Sequence, residues 1–472
     1  MSPPFLSPFY AIRKGFFVPF ILYICSAYYL YFMKLLYFFL FSLITVSSIQ
    51  SQQSFNMTLL GKLDYQQGLN DVWGFSDKQN NEFAIVGLVN GTSIVDVTNP
   101  SSLHEIAFIP GPTSVWRDIK TFGNYAYVVH DSYSNGESQG VMIIDLLEVA
   151  NDSIRYTNFL PNYFSRFHNL YIDENGILYL FGGDFGNGGL LIYDILTNPE
   201  DPILLGSYEQ FYLHDGMVRG DTLWGSAVYA GMLLAIDVSD KSNPVLLGSV
   251  ATPNNFTHNA WVSDDGNTVF TTDEVSGAYI AAVDVSDVSD MTVIDQIQSW
   301  SSETNVIPHN THVLGDYLVT SYYCDGVTIV DASDPSDLQE VAYYDTSDSV
   351  GGTFSGAWGA YPYLPSGNIL VSDRQEGLHV LSVDNFNLSR SNSNDLLRLK
   401  INPNPSSTEF LFSINRQLSF KVYAIDGSLL ESRDYSSNSR HVSIGSNWKP
   451  GVYILKVSDA SGILTSIKLV KT

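Results

Sequence analysis

One short pattern recurs seven times and restricts what this chain can become. A glycine, an apolar run and an aspartate follow one another at GTSIVD (91–96), GVMIID (140–145), GLLIYD (189–194), GMLLAID (231–237), GAYIAAVD (277–284) and GVTIVD (326–331). The pattern returns at GLHVLSVDN (377–385), where Ser382 takes the aspartate position. The period is roughly 45 residues, the length of one four-stranded blade of a β-propeller. Glycine opens a turn, the apolar run is a strand covered on both faces by its neighbours, and the aspartate closes the next turn by accepting hydrogen bonds from amides ahead of it. Asp96, Asp145, Asp194, Asp237, Asp284 and Asp331 are therefore read as structural.

Each unit holds further strands. In 256–300, HNAWVS, TVFTTDE, GAYIAAVDV and TVIDQIQSW read as four strands, with DDGN as a hairpin turn. Fourth strands read PILLGSY (202–208) and PVLLGSV (244–250), whereas the seventh unit stops near Asn385 without one. MTLLGKLDY (57–65) has the missing pattern. It is expected to complete the last blade, so that the two ends of the repeat lock the ring and protect its strand edges. The fold class predicted is all-β: a seven-bladed β-propeller over 52–386, a linker at 387–397 and a small Ig-like β-sandwich over 398–472.

The flanks speak to location. MKLLYFFLFSLITVSSIQS reads as an export signal, with Met33 as the start, Lys34 as its basic region, Leu35–Val46 as its apolar region and cleavage near Ser51. A membrane anchor following Arg13–Lys14 is the competing reading, since the apolar run at 15–32 is long enough for one span. Residues 1–51 are assigned to export. Charge agrees with an outward-facing protein: 23 Lys+Arg against 49 Asp+Glu argue against nucleic acid or an anionic membrane as partner. Cys324 is the one cysteine outside that segment, so no internal disulfide framework exists, and a buried thiol is expected.

Two stretches resemble known families. NPNPSS (402–407), KVYAIDG (421–427), PGVYILKV (450–457) and KLVK (468–471) make the tail similar to the type A C-terminal sorting domain of type IX secretion substrates. The resemblance implies export through the outer membrane of a Bacteroidetes-type bacterium, with the secretion machinery as a partner of the tail. LNDVWGF (69–75), GTSIVDVTNP (91–100), SVWRDIKTFGNYAYVV (114–129), HNTHVLGDYLVTSYYCDGVTIVDASDP (309–335) and GAWGAYPYLPSGNILVSDRQEGLHVL (356–381) resemble the choice-of-anchor B family with its LVIVD-type repeats. That resemblance implies a secreted or cell-surface propeller and no particular reaction.

A second series sits at the start of each unit. His168, His214, His258 and His309 are each followed by Asn or Asp. In a propeller the first strands line the axis, so aligning NDVWGF, RDIKTF, HNLYID, HDGMVR, HNAWVS, HNTHVL and SGAWGA places these residues at one level. The leading position reads Asn70, Arg117, His168, His214, His258, His309 and Ser355. The next reads Asp71, Asp118, Asn169, Asp215, Asn259, Asn310 and Gly356. Ends of the second strands offer His130, Asp131, Asp184, Asp273, Glu274, Asp373 and Arg374 to the same mouth.

Two readings of the mouth stay open. One is a hydrated polar ring whose imidazoles satisfy neighbouring loops. The other is a site for an unknown extracellular ligand. There Asp71, Asp118, Asp215, Asp184, Asp273 and Asp373 accept hydrogen bonds or support a cation, and Arg117 and Arg374 hold an anionic group. The cofactor it suggests is a divalent metal on His168, His214, His258 and His309; a metal-dependent hydrolase using that ring is the alternative function. No catalytic residue is assigned. The chain carries neither HExxH nor GxSxG, and RGD at 219–221 falls where a hairpin turn is due. A monomer is expected.

Overall fold

The computed structural model describes residues 53–132, 139–151, 153–301, 305–384, 404–412, 418–424, 428–435, 442–459 and 462–472. The expected export signal, the whole of the expected linker and His441 lie outside them. No helix among the described residues is long and apolar enough to cross a membrane.

The fold is all-β. Between Ser54 and Val383 the chain forms seven antiparallel sheets of four strands, one of which carries a short fifth strand. This arrangement is consistent with a β-propeller. The first strands are Leu69–Ser76, Arg117–Phe122, Asn169–Ile172, Asp215–Arg219, Thr257–Val262, Thr311–Leu314 and Ala357–Tyr361. Each packs against the next, and the last returns to the first, so they form a closed circuit. The sheets are numbered one to seven in that order.

Burial follows distance from the axis. Third strands such as Leu190–Asp194 and Val327–Asp331 are buried until their closing aspartate. The fourth strand Val245–Ala251 alternates between exposed and half-buried positions, the period of an edge with one wet face. Hydrophobic clusters lie between adjoining sheets: Ile143 and Val141 of sheet two, for instance, share a core with Leu178, Leu180 and Leu191 of sheet three.

The recurrent aspartates close turns as expected. Asp96, Asp145, Asp194, Asp237, Asp284 and Asp331 each accept from the amide two residues on, at 2.8–3.0 Å. A glycine of the fourth strand lies on the neighbouring sheet's turn. A Cβ at Gly206 would strike the carbonyl of Lys241, and one at Gly248 that of Val288.

Met57–Leu63 is the fourth strand of sheet seven, pairing with Gly377–Val383 from Met57↔Val383 to Leu63↔Leu378. Its Gly61 repeats the glycine contact, against the carbonyl of Pro100 in sheet one. Ser54–Phe55 adds a further edge strand to sheet six, with Ser54 opposite Tyr344, a pairing the repeat pattern did not announce. The tail forms a two-stranded sheet (Phe410–Phe412, Val442–Ile444) and a four-stranded one. Phe410 and Ile444 of the first share a core with Phe420, Val422 and Leu455 of the second.

Candidate functional site

The first strands bring the repeated histidines side by side. Ring centroids are 4.1 Å apart for His168–His214, 4.3 Å for His214–His258 and 4.6 Å for His258–His309. The arc continues from His309 to Trp358 at 4.3 Å, and Trp116 lies 6.3 Å from His168 at the other end. In sheet seven, therefore, the residue beside His309 is Trp358 and not Ser355. Trp358 occupies the bulge between Ala357 and Gly359, the place His258 holds between Thr257 and Asn259, so the leading position of sheet seven lies three residues beyond Ser355. Gly359 then takes the second level, where a Cβ would meet the carboxylate of Asp71.

That second level is buried and cross-linked by hydrogen bonds, although Asn169 Oδ1 and Asn310 Oδ1 find no partner. Asn169 Nδ2 donates to Asp118 at 3.0 Å and Asn259 Nδ2 to Asp215 at 2.9 Å. The Ile119 amide donates to Asp71 at 3.1 Å, and the Thr311 amide to Asn259 Oδ1 at 3.0 Å. The ammonium of Lys120 stands 2.5 Å from Asp118 and 3.8 Å from Asp71, and 4.3 Å over the Trp73 ring. Burial raises Asp71 well above the usual carboxylate range, Asp118 adding to it, and burial also raises Asp118. Asp215 is pushed up to about 7 by burial and by Asp118. Burial alone pulls Lys120 down, but Asp118 and Asp71 outweigh it and hold its ammonium above the ordinary value. These groups tie the sheets together below the mouth.

Deeper still, aromatic rings meet across the axis. Trp73 lies 5.8 Å from His312, His312 lies 4.6 Å from Trp261, and Trp73 lies 4.8 Å from Tyr361. His312 falls to about 3 through burial, with Lys120 pushing the same way.

At the mouth, the second-strand ends of sheets two, five and seven share a pattern. The last strand residue braces the adjoining loop, and the next residue faces the imidazoles, as strand alternation requires. Asp273 accepts from Thr252 Oγ1 and the Asn254 amide, both at 2.6 Å; Asp373 accepts from Thr346 Oγ1 at 2.7 Å and from two amides at 2.9 Å. His130 accepts from the Ser132 amide at 3.2 Å and is lowered to about 4, by burial first and by Arg117 next. Their successors do the facing. Asp131 contacts His168 Nδ1 at 3.1 Å, and Glu274 lies 3.5 Å from His258 Nε2 and 3.7 Å from His309 Nε2. The charge of Arg374 acts on His309 and Tyr323.

Other sequence candidates are placed elsewhere. Arg117 is buried and donates through Nε to the Leu88 carbonyl at 2.7 Å and through a terminal nitrogen to Pro112, so its fork is turned to backbone. Asp184 holds the preceding loop through the Ser165 amide at 2.8 Å and the Ser165 hydroxyl. Arg219 and Thr222 face each other across the hairpin turn that contains RGD. Cys324 is buried, its Sγ 3.1 Å from Thr353 Oγ1.

Burial and the neighbouring imidazoles hold His214 and His309 well below their ordinary value. Burial also lowers His258, while Glu274 pulls the other way. These three rings are thus neutral near pH 7, the form that can ligate a metal. Among the described residues, the group spaced to hold an ion is His258, Glu274 and His309, with ligand atoms all within 4.8 Å. His168 and His214 lie outside it. Tyr323, whose hydroxyl donates to Glu274 at 2.5 Å, is a further mouth residue that no sequence pattern marked.

Comparison with known families agrees with the repeat and the tail. LVIVD repeats match residues 80–108, 116–146, 179–210, 227–252 and 309–346. A secretion system C-terminal sorting domain matches residues 400–472. No curated protein matches the chain. The sorting domain marks proteins exported by type IX secretion to the cell surface or the outside, and so implies contact with that machinery. The chain thus contains LVIVD repeats followed by a C-terminal sorting domain of type IX secretion.

Proposed function

We propose that this protein is an exported seven-bladed β-propeller that captures a small anionic ligand at the mouth of its axis. Residues 52–386 form the propeller, 387–397 the linker and 398–472 the sorting sandwich, and the chain acts as a monomer. The arrangement of one propeller core with an export tail is in keeping with the choice-of-anchor B pattern. One observation carries the reading: four imidazoles from four sheets form a continuous arc, and the charge of Arg374 acts on the His309 end of it. Arg374 is half-buried, and its guanidinium has the planar fork suited to a bidentate contact with a carboxylate or phosphate. Trp116 and Phe354, both substantially exposed, offer apolar contact at the rim.

The test is a titration of the exported chain with inorganic phosphate and with succinate, followed by calorimetry and tryptophan fluorescence. Trp358 and Trp116 sit against the arc and report on it. Saturable binding weakened tenfold or more by Arg374→Met is expected. Absence of saturable binding by either anion, or equal binding by the variant, overturns the reading.

A further inference from the structure

The mouth carries a second kind of chemistry, and it involves one corner of the arc only. His258 opens sheet five, Glu274 follows the second strand of the same sheet, and His309 enters sheet six. The Glu274 carboxylate lies 3.5 Å from His258 Nε2 and 3.7 Å from His309 Nε2. Both separations exceed the roughly 2.7–3.2 Å of an N–H···O hydrogen bond. They equal the spacing of donors that share an ion, since two ligands at about 2.0–2.2 Å from a zinc ion stand about 3–4 Å apart. What fixes the carboxylate is the Tyr323 hydroxyl at 2.5 Å, an outer contact of the type that orients metal ligands. Tyr323 is in turn held against His309, with ring centroids 5.1 Å apart.

We infer that His258, His309 and Glu274 bind one divalent transition-metal ion, with a coordination position left open. This deepens the mouth reading above and rests on it for the role of the open position. Two imidazoles and a carboxylate suit zinc or a neighbouring first-row ion, and unlike an all-oxygen set they disfavour calcium and magnesium. His168 takes no part, because it falls outside the group of ligand atoms that lie within 4.8 Å of one another.

The test uses the exported chain, purified without a histidine tag, stripped with chelator and titrated with Zn²⁺ and separately with Co²⁺. One equivalent per chain is expected, with visible Co²⁺ absorption from a low-coordinate site. Glu274→Gln, nearly isosteric, should weaken binding tenfold or more, and His309→Ala further; His104→Ala, on an exposed outer strand, should bind as the parent does. Near-UV circular dichroism establishes folding, and if His309→Ala does not fold, Glu274→Gln decides. No bound ion in the folded parent, or undiminished binding in Glu274→Gln, overturns the inference. The phosphate titration of the stripped chain separates the two claims: anion binding without metal binding removes the ion and leaves the ligand mouth. Metal binding without anion binding does the reverse.

Discussion

Replacing Lys120 by methionine should destabilise the repeat domain, and by an amount that depends on pH. The ammonium is buried, 2.5 Å from Asp118 and 3.8 Å from Asp71. At an effective dielectric of about 20 each contact is worth on the order of 5 kcal/mol before desolvation. Desolvation offsets much of that, but removing one partner leaves buried charge uncompensated, which typically costs about 3–5 kcal/mol. With an unfolding entropy near 2.1 cal/mol/K per residue over roughly 330 residues, the melting temperature should drop by about 4–7 °C.

Acid should relieve that deficit. Asp71 and Asp118 already have folded pKa values above their unfolded ones, and losing the cation raises them further. A carboxyl that binds its proton more tightly when folded gains stability as pH falls from the folded pKa towards about 4. The variant should therefore lag furthest behind the parent near pH 8 and converge on it near pH 5. Lys120 itself, raised above its usual value, stays charged throughout this range. Differential scanning calorimetry of parent and variant from pH 5 to 8 measures the effect. A variant within 1 °C of the parent at pH 8, or one whose deficit grows on acidification, would refute this electrostatic account.

Two other substitutions test separate parts of the fold. Gly61→Ala drives a methyl group into the Pro100 carbonyl where sheet seven meets sheet one, and should cost about 1–3 kcal/mol in urea denaturation. Asp215, pushed up to about 7, is protonated in the folded state at pH 5.5, so its stability contribution is present there and is lost as pH rises through 7. Asp215→Asn should remove about 2 kcal/mol of stability difference between pH 5.5 and 8, whatever its effect on absolute stability.

Much of the fold was legible because the repeat carries its own turn chemistry. Aspartates that accept from the amide two residues on, and fourth strands marked by LLG, do the same physical work wherever they recur. The pairing of Met57–Leu63 with the last sheet could be read from LLGK alone. The histidine arc was legible for the same reason, since one level of the ring repeats one residue. What failed to show was whatever depends on local irregularity. Trp358 holds in sheet seven the bulge position that His258 holds in sheet five, but the glycine-rich stretch before it carries no histidine to mark the register. Arg117 looked like an anion fork, yet the carbonyls of Leu88 and Pro112 claim it, and nothing in RDIK announces those partners. Lys120 was overlooked because a lysine in an alternating strand reads as surface, whereas here it faces two carboxylates at the axis. Asp273 drew notice alongside its neighbour, but which of the two faces the mouth depends on where the strand ends.

Ring closure underlies every claim about the mouth, and it can be measured covalently. Thr58 and Ser382 are direct partners across the pairing of the first long strand with the last. Opposed residues of an antiparallel pair lie about 4.5–5.5 Å apart at Cα, within the range of a disulfide. Thr58→Cys/Ser382→Cys in a Cys324→Ser background should form that bond on air oxidation, seen as a 58–382 linked peptide by mass spectrometry, with reduction lowering the melting temperature. Two free thiols in the folded, oxidised protein would contradict the closed ring and the shared mouth built on it.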